Sequence, residues 1–119
     1  MATGTTPAAC IADFCLIPMG IGSPSVTPYI AEVQKLLEQC EGITFTMHSF
    51  GTTVEGSWDA VTKAIGRAHE SMHENGVPRV HSSIRIGTRT DKPQTAQDKV
   101  DSVRKYLAES EGKSESSAK

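Results

Sequence analysis

The chain has 119 residues, 37% hydrophobic and 22% charged, which gives room for one globular core and not for two domains. A net charge of -2 without any basic cluster disfavours nucleic-acid binding. The longest nearly apolar run, residues 8–22, is too short and too polar to span a bilayer. Three cysteines without C-x-x-C spacing favour reduced thiols. We therefore expect a cytoplasmic protein with neither a nucleic-acid nor a membrane partner.

Hydrophobic periodicity predicts the first half of the domain. Residues 9–17 alternate as a strand, which ends at a stretch rich in proline and glycine. A helix then begins, with Thr27 as the expected N-cap and a proline at its first position. Residues 43–48 alternate as a second strand, and a tight turn at Gly51 leads into a third strand around residues 52–55.

The second half repeats this order of elements. Ser57 can cap a helix with an apolar stripe, and Gly76 followed by a proline ends that helix. Residues 79–86 alternate as a fourth strand, and a last helix is predicted from about Thr95 to Glu109.

The order β-α-β-β-α-β, followed by one more helix, predicts an α+β fold of the ferredoxin-like type. Two crossovers around a central hairpin give an antiparallel sheet with both main helices on one face. We assign one domain to residues 9–109. Residues 1–8 and 110–119 carry too little apolar surface to offset the entropy of ordering, which predicts a flexible N-terminus and a disordered tail.

The sheet face without helices is expected to be partly apolar and rich in polar groups. It would carry Ile11, Ile17 and Phe50 among Asp13, Thr44, Thr46, His48, His81 and Arg85. A mixed face of this kind favours self-association. Pairing through this face or through strand edges would give a dimer or a dimer of dimers with small-molecule sites along the seams.

Residues 48–58 combine a strand end, a glycine turn, a short strand and a helix start. Gly51 and Gly56 permit close backbone approach, and Thr52, Thr53 and Glu55 supply polar groups between them. The stretch can form a binding site for a small polar molecule, or an ordinary hairpin with a helix cap behind it. Both interpretations fit the spacing.

A second motif, His69-Glu70-Ser71-Met72-His73, matches the H-E-x-x-H pattern of zinc proteases on a predicted helix. Arg79 stands where the extended pattern places its third ligand, and a cation there opposes zinc. We favour a solvated helix flank, and keep a metal-dependent hydrolase using His69 and His73 as the alternative.

Several stretches together resemble one known family. Residues 17–20, 48–61, 79–81 and 89–92 are similar to motifs of the small thiamine-binding protein family, particularly its fungal members, and the resemblance covers roughly residues 8–107. It implies a ferredoxin-like fold, homotetramers built as dimers of dimers, no established enzymatic activity, and a proposed role in binding thiamine or its hydroxymethylpyrimidine moiety. We expect a protein that is not an enzyme and has no cofactor.

The chemistry of thiamine narrows the choice of site residues. Its thiazolium cation calls for a carboxylate or an aromatic face, and its aminopyrimidine calls for paired donors and acceptors. The residues that we nominate on chemistry and position are Asp13, Gly20, Thr46, His48, Phe50, Gly51, Thr53 and Glu55.

Overall fold

A computed structural model describes the backbone of residues 4–117 and the side chains as far as residue 112. The chain divides into two compact units, one ending at Thr88 and the other beginning at Arg89. Residues 1–3 of the predicted flexible N-terminus and residues 118–119 of the predicted tail lie outside the described residues.

The first unit forms an antiparallel sheet with two helices. Its elements are β1 Cys10–Met19, α1 Thr27–Gln39, β2 Ile43–His48, β3 Gly51–Gly56, α2 Trp58–Glu74 and β4 Arg79–Gly87. The strand order is β2-β3-β1-β4, and every neighbouring pair is antiparallel. This is the ferredoxin-like arrangement, so the predicted fold is confirmed.

Strict alternation along β1 separates the two faces of the sheet. Phe14 and its even-numbered neighbours are buried toward the helices, whereas the odd-numbered residues point to the other side. The core contains Cys10, Ala12, Phe14, Leu16, Val33, Leu37, Val54, Val61, Ala64, Ile65, Ala68, Met72 and Val77. We call the side opposite this core the open face.

β1 is longer than the sequence predicts, because it continues through Pro18 to Met19. Proline lacks an N–H and is normally confined to strand edges. Here β3 pairs with β1 only as far as Phe14, while β4 pairs with β1 as far as Met19. The region around Pro18 therefore has a strand partner on one side only, which is where a proline is tolerated.

The two helix starts in the first unit differ. Ser57 accepts a hydrogen bond from the backbone N–H of Ala60 at 3.1 Å, which confirms it as the N-cap of α2. The prediction for α1 is wrong by one residue, since Val26 is the N-cap and Thr27 is already helical. No side chain caps α1; the carbonyl of Val26 instead accepts hydrogen bonds from the N–H groups of Tyr29 and Ile30.

The N-terminal segment contacts the start of α2. Thr6 Oγ1 donates to Asp59 Oδ1 at 2.8 Å, and the backbone N–H of Trp58 donates to the carbonyl of Pro7 at 3.1 Å. This second bond satisfies an N–H at the first turn of α2, which has no partner inside the helix.

The second unit contains α3, Ala96–Ser117. Thr95 and Asp98 form a reciprocal capping box at its start, with bonds of 2.9 and 3.0 Å. The helix extends past Glu109, its predicted end, since no proline interrupts the stretch and it includes good helix formers. The proposed domain boundaries at residues 8 and 109 stay predictions.

Candidate functional site

The open face brings polar side chains from all four strands into adjacent rows. Strand register places Thr46, Thr53, Asp13 and Arg85 side by side, in that order across β2, β3, β1 and β4. Asp13 and its neighbours in this row are contributed by segments that are far apart in the chain. The candidate site is therefore a product of the sheet rather than of one loop.

Asp13 is the centre of a polar cluster, which we define as Asp13, His48 and Arg85. His48 Nε2 lies 3.0 Å from Asp13 Oδ1. Arg85 donates to Asp13 Oδ2 through Nε at 3.2 Å, and through a second, shorter bond from Nη2. Each carboxylate oxygen thus accepts from a different neighbour, and this fixes the orientation of the carboxylate.

These contacts set the charge of the cluster. The hydrogen bonds from Arg85 are the main reason that the pKa of Asp13 lies below its ordinary value; burial acts in the opposite direction, and the hydrogen bond with His48 lowers the pKa further. The side chain of Asp13 is 25% exposed, whereas that of Arg85 is 86% exposed. Asp13 is therefore an anion at neutral pH that acts as an acceptor and not as an acid.

Gly51 makes the tight packing of this cluster possible. A Cβ at this position would lie 2.6 Å from the carbonyl oxygen of Phe14, 3.2 Å from Asp13 Oδ1 and 3.3 Å from His48 Cε1. Any other residue would push β3 away from β1 or displace the two side chains. The glycine is required here for close approach, as its place in the sequence suggests.

Thr52 does not belong to the site, although it lies in the polar stretch that the sequence singles out. It is buried on the helix side, where its Oγ1 accepts a hydrogen bond of 3.0 Å from Gln34 Nε2 of α1. This contact anchors the β2–β3 hairpin to α1. Thr53, the next residue, points to the open face instead.

The other nominated residues are not all close together. Glu55 pairs with Thr44 and Ile11 in the row next to that of Asp13. Phe50 lies in the turn before β3 and is 87% exposed. Gly20 follows the far end of β1, about 23 Å from Asp13 along the strand direction at about 3.3 Å per residue. The structure does not bring Gly20 to the cluster.

The nominated set lacks one member of the cluster and two of its neighbours. The sequence places Arg85 on the open face but gives it no role, and Cys15 and Ser83 face each other in the next row. That these residues point to the open face can be predicted from the alternation of residues along β1 and β4. Which of these residues stand opposite Asp13 depends on the strand register, and no local pattern specifies it.

The H-E-x-x-H motif shows no metal geometry. His69 Nε2 lies 2.9 Å from Ser82 Oγ, and His73 Nδ1 lies 2.8 Å from the carbonyl oxygen of Val77. Among residues 4–112, whose side chains the structure describes, no group of three or more histidine, cysteine, aspartate or glutamate residues is placed to hold an ion. Burial is the main cause of a lowered pKa for His69. Nothing in this region supports the hydrolase alternative.

The fold and the open face define a ferredoxin-like protein with an uncovered, polar sheet surface. The profile of the thiamine-binding protein family matches residues 12–104 of this chain. UPF0045 protein ECM15 of the fungus Eremothecium gossypii is 50% identical over 99 residues, which are 83% of this chain and 93% of the relative. The chain therefore belongs to the thiamine-binding protein family, and the predicted resemblance is confirmed.

Relatives outside the fungi and solved structures agree with this result. UPF0045 protein sll0230 of Synechocystis is 48% identical over 100 residues, covering 84% of this chain and 81% of that protein. The crystal structure of protein MJ1052 of Methanocaldococcus jannaschii is similar with a TM-score of 0.72 and 30% identity, over 81% of this chain and 96% of that one.

One further structure is more distant in sequence. It is that of a Thermotoga maritima protein with a suggested role in thiamine biosynthesis or salvage, with a TM-score of 0.67 and 14% identity over 80% of this chain and 98% of that one. At this identity the similarity concerns the fold. For the described part of this chain, we also find no helix with the length and apolar character needed to cross a membrane.

Proposed function

We propose that this protein is a non-catalytic binding protein for thiamine or its hydroxymethylpyrimidine moiety, and that the ligand binds on the open face. Family membership supports the ligand class. The observation that carries the location is the Asp13–His48–Arg85 cluster, because it is a fixed polar arrangement on an uncovered face. Its neighbours Thr46 and Thr53 add hydroxyl groups in the same row.

The chemistry of an aminopyrimidine matches this row. The ring offers N–H donors next to a ring nitrogen acceptor, and a carboxylate flanked by hydroxyls offers the complementary set. Oδ1 of Asp13 accepts one hydrogen bond, from His48, and keeps a second lone pair for a ligand, whereas Oδ2 already accepts two hydrogen bonds from Arg85. Because Arg85 keeps Asp13 ionised, the cluster is suited to recognition and not to delivering a proton.

Phe50 and Glu55 are proposed as the contacts for the rest of thiamine. Phe50 presents an almost fully exposed ring at the turn beside the cluster, suitable for stacking on a flat cation. Glu55 contributes a carboxylate one row away from Asp13.

We propose that the protein acts as a homo-oligomer, a dimer of dimers that pairs through the open face or through strand edges, with the ligand along the seam between copies. Exposed apolar side chains accompany the polar cluster on this face, namely Ile17 at 46% and Met19 at 38%. Contact with a second copy would remove these apolar side chains from water, which favours association. Light scattering after size exclusion should give a tetramer mass, and a monomer mass at micromolar concentration would contradict the assembly.

We also propose a cytoplasmic location. Cys10, Cys15 and Cys40 are all free thiols in the structure, as is usual in a reducing compartment.

Titration calorimetry of the full chain with thiamine and with hydroxymethylpyrimidine tests the proposal. Asp13→Asn should weaken binding at least ~10-fold, because a hydrogen bond to a charged group is worth about 1.5–3 kcal/mol. Thr53→Val should weaken it by about 3-fold or more through the loss of one neutral hydrogen bond. Thr62→Val makes the same chemical change on α2, where the hydroxyl bonds to the carbonyl of Trp58, and should leave binding unchanged. Unaltered affinity in both Asp13→Asn and Thr53→Val would refute the site.

A further inference from the structure

The open face of β4 carries donor groups next to the cluster. We call His81, Ser83 and Arg85 the β4 strip, since the register assigns all three to the open face opposite Ile17, Cys15 and Asp13. All three side chains are exposed. β4 itself, Arg79–Gly87, contains no carboxylate. The strip offers a guanidinium, an imidazole and a hydroxyl to a ligand on the open face.

Arg85 has donors to spare. Only its Nε and Nη2 atoms contact Asp13, while the guanidinium carries five N–H groups. The side chain remains 86% exposed despite the ion pair. Arg85 can therefore hold Asp13 in place and bind a second anionic group at the same time.

The spacing of the sheet connects the strip to the proposed ring position. Neighbouring strands lie about 4.8 Å apart, and alternate residues of one strand lie about 6.8 Å apart. A ring over Asp13 thus has the backbone position of Arg85 about 5 Å away and that of Ser83 about 8 Å away, and a phosphate above Ser83 lies about 7 Å from the backbone positions of His81 and Arg85 on either side. A phosphate attached to the ring through a methylene and an oxygen bridges a gap of this size once the side chains extend toward it.

The carboxylates of the open face do not oppose such a group. Asp13 is already neutralised by Arg85, its partner on the adjacent strand. Glu55 lies on β3, two strands and about 10 Å away from β4. A phosphate monoester carries a charge of about -1.5 to -2 and three acceptor oxygens, and guanidinium binds such groups in a bidentate manner.

We propose that the preferred ligand of the open face is a phosphate monoester of the pyrimidine, with its phosphate bound by the β4 strip. This inference rests on the proposed function, because it takes the pyrimidine position over Asp13 from it. It adds the charge state of the ligand and assigns a binding role to His81 and Ser83.

Titration calorimetry with hydroxymethylpyrimidine, its phosphate monoester and inorganic phosphate tests the inference. The monoester should bind about 10-fold more tightly than the free alcohol, since it adds charge-assisted hydrogen bonds on an exposed surface. His81→Gln and Ser83→Ala should each reduce this preference by about 3-fold without changing the affinity for the alcohol. Ser71→Ala on α2 is the matched control and should preserve the preference.

Three outcomes would overturn the inference. The first is equal affinity for the alcohol and its monoester, which leaves the proposed function intact. The second is a preference that survives in the His81→Gln, Ser83→Ala double variant. The third is inorganic phosphate binding as tightly as the monoester, which would assign the strip to free phosphate. If neither pyrimidine binds, the proposed function fails together with the inference.

Discussion

The two faces of the sheet are built on different principles, although neighbouring residues of the same strands supply both. On the helix side, Phe14 and Val54 are buried, with 3% and 0% of their surface exposed, and apolar packing stabilises the fold. On the open side, Asp13 and Thr53 lie next to them in sequence and remain partly exposed. The alternation lets one face hold the structure while the other is free to carry polar chemistry.

This division is possible because hydrogen bonding within the sheet serves both faces. The backbone of β1 is paired along β4 as far as Met19 and along β3 as far as Phe14. Backbone pairing therefore holds the strands in place, and the polar side chains of the open face are not needed to stabilise the sheet. We expect changes on the two faces to separate into effects on stability and effects on binding.

The largest effect that would test this comparison is expected from Phe14→Ala. Removing a buried aromatic ring should lower the free energy of unfolding by about 3–5 kcal/mol. Cys15→Ala changes the next residue, on the open face, and should cost less than about 1 kcal/mol. Urea unfolding of both variants gives the two values. Should Phe14→Ala unfold the chain, the milder Phe14→Leu provides the comparison. Similar losses at Phe14 and Cys15 would contradict the division.

An intermediate effect is expected from Gly51→Ala. The added methyl group meets the backbone of Phe14 and the side chains of Asp13 and His48, so it should cost about 1–3 kcal/mol and also weaken ligand binding. Gly66→Ala is the control, because a Cβ there meets nothing within 4 Å. In the interior of α2 it should stabilise by about 0.5–1 kcal/mol. Thermal unfolding distinguishes the two, and a neutral Gly51→Ala would show that β3 can shift freely.

The smallest effect concerns the charge of the cluster. The pKa of Asp13 is lowered by folding, so its stabilising contribution is present above the unfolded pKa and is lost as the pH falls through the folded pKa. Because Arg85 is exposed, Arg85→Gln should cost only about 0.2–1 kcal/mol at pH 7, with the difference from wild type shrinking below about pH 4.

Carbon-detected NMR titration of the Asp13 carboxyl checks the cause directly. Its pKa should rise toward the ordinary value in Arg85→Gln. Arg79→Gln removes the same charge from the far end of β4 and should leave the pKa of Asp13 where it is. An unchanged pKa in Arg85→Gln would show that the ion pair does not persist in solution.

The sequence was sufficient to predict the fold because the relevant signals are local. Alternation in β1 and the N-cap at Ser57 are confirmed, and Gly76 takes a left-handed conformation directly after Asn75, the C-cap of α2. In β4 burial alternates only as far as Ser82, since Ile84 and Ile86 are exposed. The errors are local as well. Val26 caps α1 through its backbone alone, so no side chain in the sequence marks the cap. Pro18 stays in β1 because only one neighbouring strand reaches it.

The site was harder to predict, since its central contacts are not local. Asp13 and Arg85 are 72 positions apart, and their pairing depends on the register of two strands. The same holds for the partner of Thr52, since Gln34 of α1 lies 18 positions away in the chain. The open-face assignment of Asp13, Thr46, Thr53 and His48 follows from alternation, whereas the partner of each residue does not.

The distance in sequence between Asp13, His48 and Arg85 also links recognition to folding. No fragment of the sheet contains all three, so the cluster exists only after the first and last strands have come together. A ligand that requires the cluster binds the native state and no partly folded form, and its binding free energy is added in full to the stability of the first unit. Saturating ligand should accordingly raise the melting temperature of the entire sheet as a single cooperative transition.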